Sequence, residues 1–201
     1  MTASSDGRRP ARIVLGSTSR YRAELLKRLV SDFEQRAPGT DERVRLNESA
    51  QSRALRLAIA KAEAAAQSLV DALVIGSDQV ADLDGEILDK PGTADNARQQ
   101  LAASAGRIVQ FHTALCLLDT RDGRQRTYVD STRVQFRTLS KDEIERYVER
   151  EQPLDCAGSF KCEGLGIGLF ERIDSDDPTA LIGLPLIALA RLLRECGIAI
   201  P

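Results

Sequence analysis

Two apolar periods succeed each other along this chain, and the switches between them mark the elements. Arg12-Ile13-Val14-Leu15-Gly16 is a short, nearly unbroken apolar run, the pattern of a buried strand. It gives way to Ser17-Thr18-Ser19, whose hydroxyls suit a helix N-terminus, and then to Leu25, Leu26, Leu29 and Val30 at helical spacing. Ala37-Pro38-Gly39-Thr40-Asp41-Glu42 reads as a loop ending in two acids. Residues 49–70 are Ala-rich and predict a long helix with Leu55, Ala58, Ala62 and Ala65 on one face and Lys61 inside it. Leu73-Val74-Ile75-Gly76 predicts a second buried strand that stops at Ser77-Asp78-Gln79. Alternation over 80–88 around Asp84-Gly85 predicts a hairpin.

Farther on, Lys90-Pro91-Gly92 precedes Thr93, which caps a helix ending near Gly106. Residues 107–118 and 124–136 alternate as strands around Asp122-Gly123. Ser140 and Glu143 form a capping-box pattern before Ile144, Tyr147 and Val148. Residues 153–168 read as a Gly-rich loop and 165–170 as a strand; Pro185 and Gly197 bracket a last helix. Strands alternating with helices, interrupted by two hairpins, place the chain in the α/β or α+β class with a mixed sheet. One domain is expected over 11–201, behind a loose, flexible N-terminal tail at 1–10.

Composition narrows the function classes. Of 201 residues, 42% are hydrophobic and 29% charged, which is too apolar for a disordered chain. No apolar run approaches the ~20 residues of a membrane helix, and the polar start lacks the apolar core of a secretory signal. A formal net charge of −2 gives no basic surplus for a nucleic acid polymer or an anionic membrane. The four cysteines form no Cys-x-x-Cys pair, which agrees with a reducing, cytoplasmic setting. The single histidine, His112, weighs against a Ser-His-Asp or Cys-His enzyme.

Four segments carry candidate chemistry. Ser17, Ser19 and Arg22 lie where a strand turns into a helix, so hydroxyls, free backbone N–H groups and a guanidinium can meet phosphate there; an ordinary capped helix with a solvated Arg fits the same residues. Asp78, with Glu42, offers carboxylate for a hard divalent cation or for activating water, and Asp78 is expected in the crevice just beyond its strand; a surface carboxylate capping a turn fits the same residue. Lys61 and Lys90 either neutralise a polyphosphate with Arg22 or reach out to solvent. Glu163, in Ser159-Phe160-Lys161-Cys162-Glu163-Gly164, either accepts hydrogen bonds from a purine edge or is an exposed loop acid.

Taken in order, these segments resemble the Maf family of nucleotide pyrophosphatases. The family pattern of Ser-x-Ser-x-x-Arg, Asp-Glu, a helix Lys, Gly-x-Asp and Lys-Pro is matched by Ser17 to Arg22, Asp41-Glu42, Lys61, Gly76-Ser77-Asp78 and Lys90-Pro91. Tyr21, Gly76-Ser77-Asp78-Gln79-Val80 and the run from Ala157 to Gly164 resemble its YceF-like branch; Arg20 departs from the usual Pro. The resemblance implies an elongated α/β fold with a cleft between two lobes, often dimeric. It also implies a cytoplasmic enzyme that splits 7-methyl-GTP into 7-methyl-GMP and pyrophosphate with a divalent metal, Mg²⁺ or Mn²⁺. Asp78 then acts as proton acceptor for water attacking the α-phosphorus, and Glu42 and Asp78 hold the metal. Ser17, Ser19, Arg22, Lys61 and Lys90 bind phosphates. Tyr21 stacks on the cationic base while Gln79 and Glu163 read its edge. Two other readings stand beside this one: housecleaning hydrolysis of dTTP, UTP or modified nucleotides, and a non-catalytic nucleotide-binding regulator of division.

Overall fold

A computed structural model describes residues 12–201; the expected tail at 1–10 lies outside them. The first strand, β1 (Arg12–Gly16), leads into α1 (Arg20–Leu26), capped by the Ser19 side chain accepting from the Arg22 N–H. Regular helix stops at Leu26, and Leu29 and Val30 pack on the core from the turns that follow. A strand too short and polar to read from its sequence, β2 (Glu34–Arg36), comes next. Then α2 (Ala50–Ala66) is capped by Ser49 and is shorter than the pattern suggested. Its buried face holds Ala54, Leu57, Ala58, Lys61, Ala62 and Ala65, whereas Leu55 is only half-buried.

The largest departure concerns β3 (Ala72–Leu83), which runs twelve residues without a break. Ser77, Asp78 and Gln79 do not end the strand. Their backbones stay in register with β5 (Ile108–Asp119), Asp78 opposite Ala114, and their side chains find polar partners of their own. Asp78 therefore sits in mid-strand, not in a crevice beyond a strand end. The expected Asp84-Gly85 hairpin joins β3 to β4 (Glu86–Leu88). Thr93 caps α3 (Ala94–Ser104), and β6 (Gln125–Phe136) returns along β5. Both halves of the Ser140–Glu143 capping box are made at the start of α4 (Lys141–Glu151).

The expected strand at 165–170 is displaced. Glycines at 164, 166 and 168 let the chain coil as a 3-10 turn over Leu165–Leu169, and β7 (Phe170–Asp174) starts where Phe170 pairs with Phe136. Pro185 and Gly197 flank α5 (Leu186–Glu195) as predicted. The sheet is mixed, in the order β2-β1-β3-β5-β6-β7 with β4 on β3; β1 runs parallel to β2 and β3, and the other pairs are antiparallel. The expected mixed α/β architecture is borne out. No described helix is long and apolar enough to cross a membrane.

Two hydrophobic groups take opposite faces of the first half of β3 and the second half of β5, which pair antiparallel, one with α1 and α5, the other with α2. A third packs α3 and α4 on the far half of the sheet. Gly76 to Gln79 lies between these halves. At Gly76 the helix α2 comes so close that a Cβ would stand 2.1 Å from the Ala58 carbonyl oxygen.

Candidate active site

Around the middle of β3 the polar residues and the cavity coincide. A cavity of about 300 Å³ is lined by Asp78 and Gln79 of β3, by Arg22 of α1, by Lys61 of α2 and by the loop residues Lys90 and Glu163. Ser19, Tyr21 and Glu42 also border it. A second cavity of about 690 Å³ adjoins it along Ser19, Arg22, Glu42, Lys61 and Lys90, and Ser17 lines that one. Every residue given a catalytic, metal, phosphate or base-reading role from the sequence thus lines one of two neighbouring cavities.

Lys61 is buried and does not reach for solvent. Its Nζ lies 2.5 Å from Asp78 Oδ1 and 2.7 Å from Glu42 Oε1. Burial raises the Glu42 carboxyl, but the Lys61 hydrogen bond and charge, helped by Lys90 and Arg22, outweigh it and hold Glu42 below its ordinary value. Among the described residues Asp78 Oδ2 has no partner. Asp41, next to Glu42, is held by Arg43 through a hydrogen bond that pushes its carboxyl down to about 2, and it lines neither cavity.

Arg22 is positioned from both ends of the chain. Its Nε donates to the Gly183 carbonyl at 2.9 Å and its Nη1 to Ser17 Oγ at 3.4 Å. Burial lowers its pKa, against the opposing pull of Asp78 and Glu42. The same Gly183 carbonyl accepts from Ser77 Oγ at 3.0 Å. Gly183 holds φ at +124°, and a Cβ there would meet Arg22 Nε at 3.5 Å.

Gln79 is oriented by the neighbouring turn. Its Nε2 donates to the carbonyls of Ala180 at 3.0 Å and Leu181 at 3.1 Å, and to Thr113 Oγ1 at 2.9 Å. Carbonyls accept only, so the amide nitrogen must face them, and Oε1 is left as an acceptor. Gln79→Glu would set a carboxylate against two carbonyls. It should lower stability by about 1–3 kcal/mol at neutral pH, and the loss should shrink in acid as the new carboxyl takes up a proton and donates again. Thermal melting at pH 7 and pH 5 reads this; equal losses at both would contradict the amide orientation.

Glu163 is exposed, on a loop pinned from several sides. Phe160 stacks edge-on against Phe111, Phe136 and Phe170, with ring centroids 5.1, 5.7 and 4.7 Å apart. Tyr147 Oη accepts from the Lys161 N–H at 3.0 Å, and Glu151 Oε2 accepts from the Leu165 N–H at 2.8 Å. Tyr21 is partly covered: the Arg20 guanidinium lies 4.8 Å from its ring centroid, so one face of the ring is already occupied.

Some lining residues escape a reading of the sequence. The carbonyls of Ala180, Leu181 and Gly183 that orient Gln79, Ser77 and Arg22 leave no trace in residue type. Thr113 and Phe111 read simply as members of a strand. Arg53 had a signal: it stands eight residues before Lys61, on the same face of the helix.

A family model described as Maf-like protein matches residues 12–196. The chain belongs to the Maf family. Relatives within it are close in both sequence and length. A protein of Xanthomonas axonopodis pv. citri named 7-methyl-GTP pyrophosphatase is 57% identical over 94% of this chain and 99% of its own. Proteins of the same name from Cupriavidus pinatubonensis and Burkholderia pseudomallei are 53% and 54% identical, over 92% and 94% of this chain and 94% and 89% of theirs. The Maf match covers every residue placed around the two cavities.

Proposed function

We propose that this Maf protein is a nucleoside triphosphate pyrophosphatase that hydrolyses 7-methyl-GTP to 7-methyl-GMP and pyrophosphate. The observation that carries the reading is the set of side chains that one cavity brings together. Its lining gathers Asp78, Glu42, Lys61, Lys90 and Arg22, a set suited to a polyphosphate. It also offers Gln79 Oε1 and the Glu163 carboxylate, which are acceptors only. Guanine presents two donors, N1–H and the exocyclic amine, and methylation at N7 gives it a positive charge that a carboxylate favours. The names and identities of the relatives point to the same substrate.

Asp78 is the proposed proton acceptor. Lys61 holds Oδ1 and so fixes the carboxylate, which leaves Oδ2 to orient the attacking water and take its proton as the α-phosphorus–oxygen bond forms. Arg22, Lys90 and the Ser17 and Ser19 hydroxyls steady the phosphates, and the bridging oxygen leaves with the pyrophosphate.

The residues present fit a divalent cation. Two carboxylates, Glu42 and Asp78, converge on one ammonium, a cation standing between hard oxygen ligands. Four cationic and five anionic side chains line the cavity, so its wall has no positive surplus to meet a triphosphate. Among the described residues no cluster of three or more metal-ligating side chains occurs. Glu42 and Asp78 would therefore share Mg²⁺ or Mn²⁺ with substrate phosphates and water, as is usual for Mg²⁺. When bound, the ion supplies charge neutralisation on the phosphoryl oxygens.

The test is pyrophosphate release from 7-methyl-GTP, GTP, dTTP, UTP and CTP with Mg²⁺ or Mn²⁺. A clear preference for 7-methyl-GTP is expected; a preference for a pyrimidine triphosphate would overturn the proposed base contacts. Glu163→Ala should cut the preference for 7-methyl-GTP over GTP roughly tenfold, the scale of one charge-assisted hydrogen bond, with kcat little changed. An unchanged preference would remove Glu163 from base selection.

A further inference from the structure

We infer that Arg53 is a further binding residue of this site, one that takes a phosphoryl oxygen of the substrate's polyphosphate. The inference rests on the pyrophosphatase reading and extends it to a residue that reading did not use. Arg53 lines the same cavity as Lys61 and Lys90. Its side chain is only 9% exposed, yet Nε and Nη1 are buried without any hydrogen-bond partner. Its one ionic contact, Nη2 to Asp89 Oδ1 at 3.1 Å, is to a side chain that is 66% exposed. Solvent weakens that pair, and it leaves the two other nitrogens unmet.

Arg56, one turn farther along α2, shows what a structural arginine looks like here. Its Nε and Nη2 grip both oxygens of Glu48 at 2.6 and 2.7 Å, and Nη2 also reaches the Arg43 carbonyl. Arg53 has no such arrangement. It also sits in the first turn of α2, where the helix dipole disfavours a cation. Two of its nitrogens are therefore buried without a partner beside the cavity, and a turn of the side chain toward it would carry them to an incoming acceptor.

Charge identifies that acceptor. Lys90 follows Asp89 directly, so this stretch of wall carries two cations, Arg53 and Lys90, against one carboxylate. A sugar hydroxyl would satisfy the N–H groups but leave the charge unmet; a phosphoryl oxygen does both. Lys61 lies two helical turns from Arg53 on the same face of α2, and long side chains at that spacing can hold different parts of one extended polyphosphate.

The test compares wild type with Arg53→Gln and Arg53→Lys in two measurements. Steady-state kinetics on 7-methyl-GTP should show KM raised about 10- to 100-fold in Arg53→Gln, with kcat within about threefold and base preference unchanged. Arg53→Lys should recover part of the loss. Inorganic tripolyphosphate with Mg²⁺ should raise the melting temperature of wild type clearly more than that of Arg53→Gln. The ligand-free melting temperature of Arg53→Gln should equal or exceed that of wild type, because a poorly compensated buried charge is gone. Wild-type KM and a full tripolyphosphate shift in Arg53→Gln would overturn the inference. So would a lower ligand-free melting temperature with KM unchanged, which marks a structural role. If wild type turns over no triphosphate, the pyrophosphatase reading fails, and the tripolyphosphate shift still decides whether Arg53 binds anions.

Discussion

Asp78→Asn should fold, bind 7-methyl-GTP and hydrolyse almost none of it, with kcat down about 10²–10⁴-fold. The replacement has the same shape. Its amide oxygen can still accept from Lys61 Nζ, and Lys61 keeps its second partner, Glu42 at 2.7 Å. The amide nitrogen, however, cannot accept a proton from water, and a neutral side chain contributes less to a divalent cation. Losing one partner of a buried pair has a stability cost, which Glu42 limits, so the variant should melt within several degrees of wild type. Pyrophosphate release and nucleotide-induced thermal shift on the same preparation separate chemistry from binding. Near-normal turnover in a folded Asp78→Asn protein would remove Asp78 from the reaction.

The second large effect follows from a single methyl group. Gly76→Ala should lower stability by about 3 kcal/mol or more and abolish most activity. Its Cβ would lie 2.1 Å from the Ala58 carbonyl oxygen, 2.6 Å from the Ala62 N and 2.9 Å from the Ala62 Cβ. Two of these are helix backbone, which no rotamer change can move aside. Relief requires α2 to lift from β3, and α2 carries Lys61, one residue before Ala62. Gly168→Ala is the comparison: nothing lies within 4 Å of its Cβ and its backbone is not left-handed, so it should be nearly silent. Urea denaturation of both variants reads the difference, and a Gly76→Ala midpoint close to wild type would show that the helix has room to yield.

What the sequence revealed was what local chemistry determines. Ser19, Thr93 and Ser140 cap helices because a hydroxyl at that place satisfies an N–H three residues on, and both partners are visible in one short window. The Asp84-Gly85 hairpin is legible for the same reason: both residues hold positive φ. The end of β3 is not legible because Ser77, Asp78 and Gln79 look like strand-breaking polarity. Their partners, Gly183, Lys61 and Ala180, come from elsewhere in the chain and make a polar strand interior affordable. β2 was missed because Glu-Gln-Arg has no strand pattern, and pairing with β1 alone defines it. Of the site, the charged and hydroxyl-bearing side chains were legible by type and order. The carbonyls that aim them were not, since every residue has one, and the only signal of Arg53 is its spacing from Lys61 on one helix face.

The turn that supplies those carbonyls also sets a timetable. Ser77 is 106 residues ahead of Gly183, Gln79 is 101 ahead of Ala180, and Arg22 is 161 ahead of Gly183. At ~5–20 residues per second of translation, the central strand waits roughly 5–20 s for the last acceptors of its polar side chains. Through that interval Ser77 and Gln79 have only their nearer acceptors, the Ala114 carbonyl and Thr113 Oγ1, and the nucleotide site lacks its final geometry. The geometry that aims Arg22, Ser77 and Gln79 is therefore completed only late in synthesis, once Ala180 to Gly183 has been made.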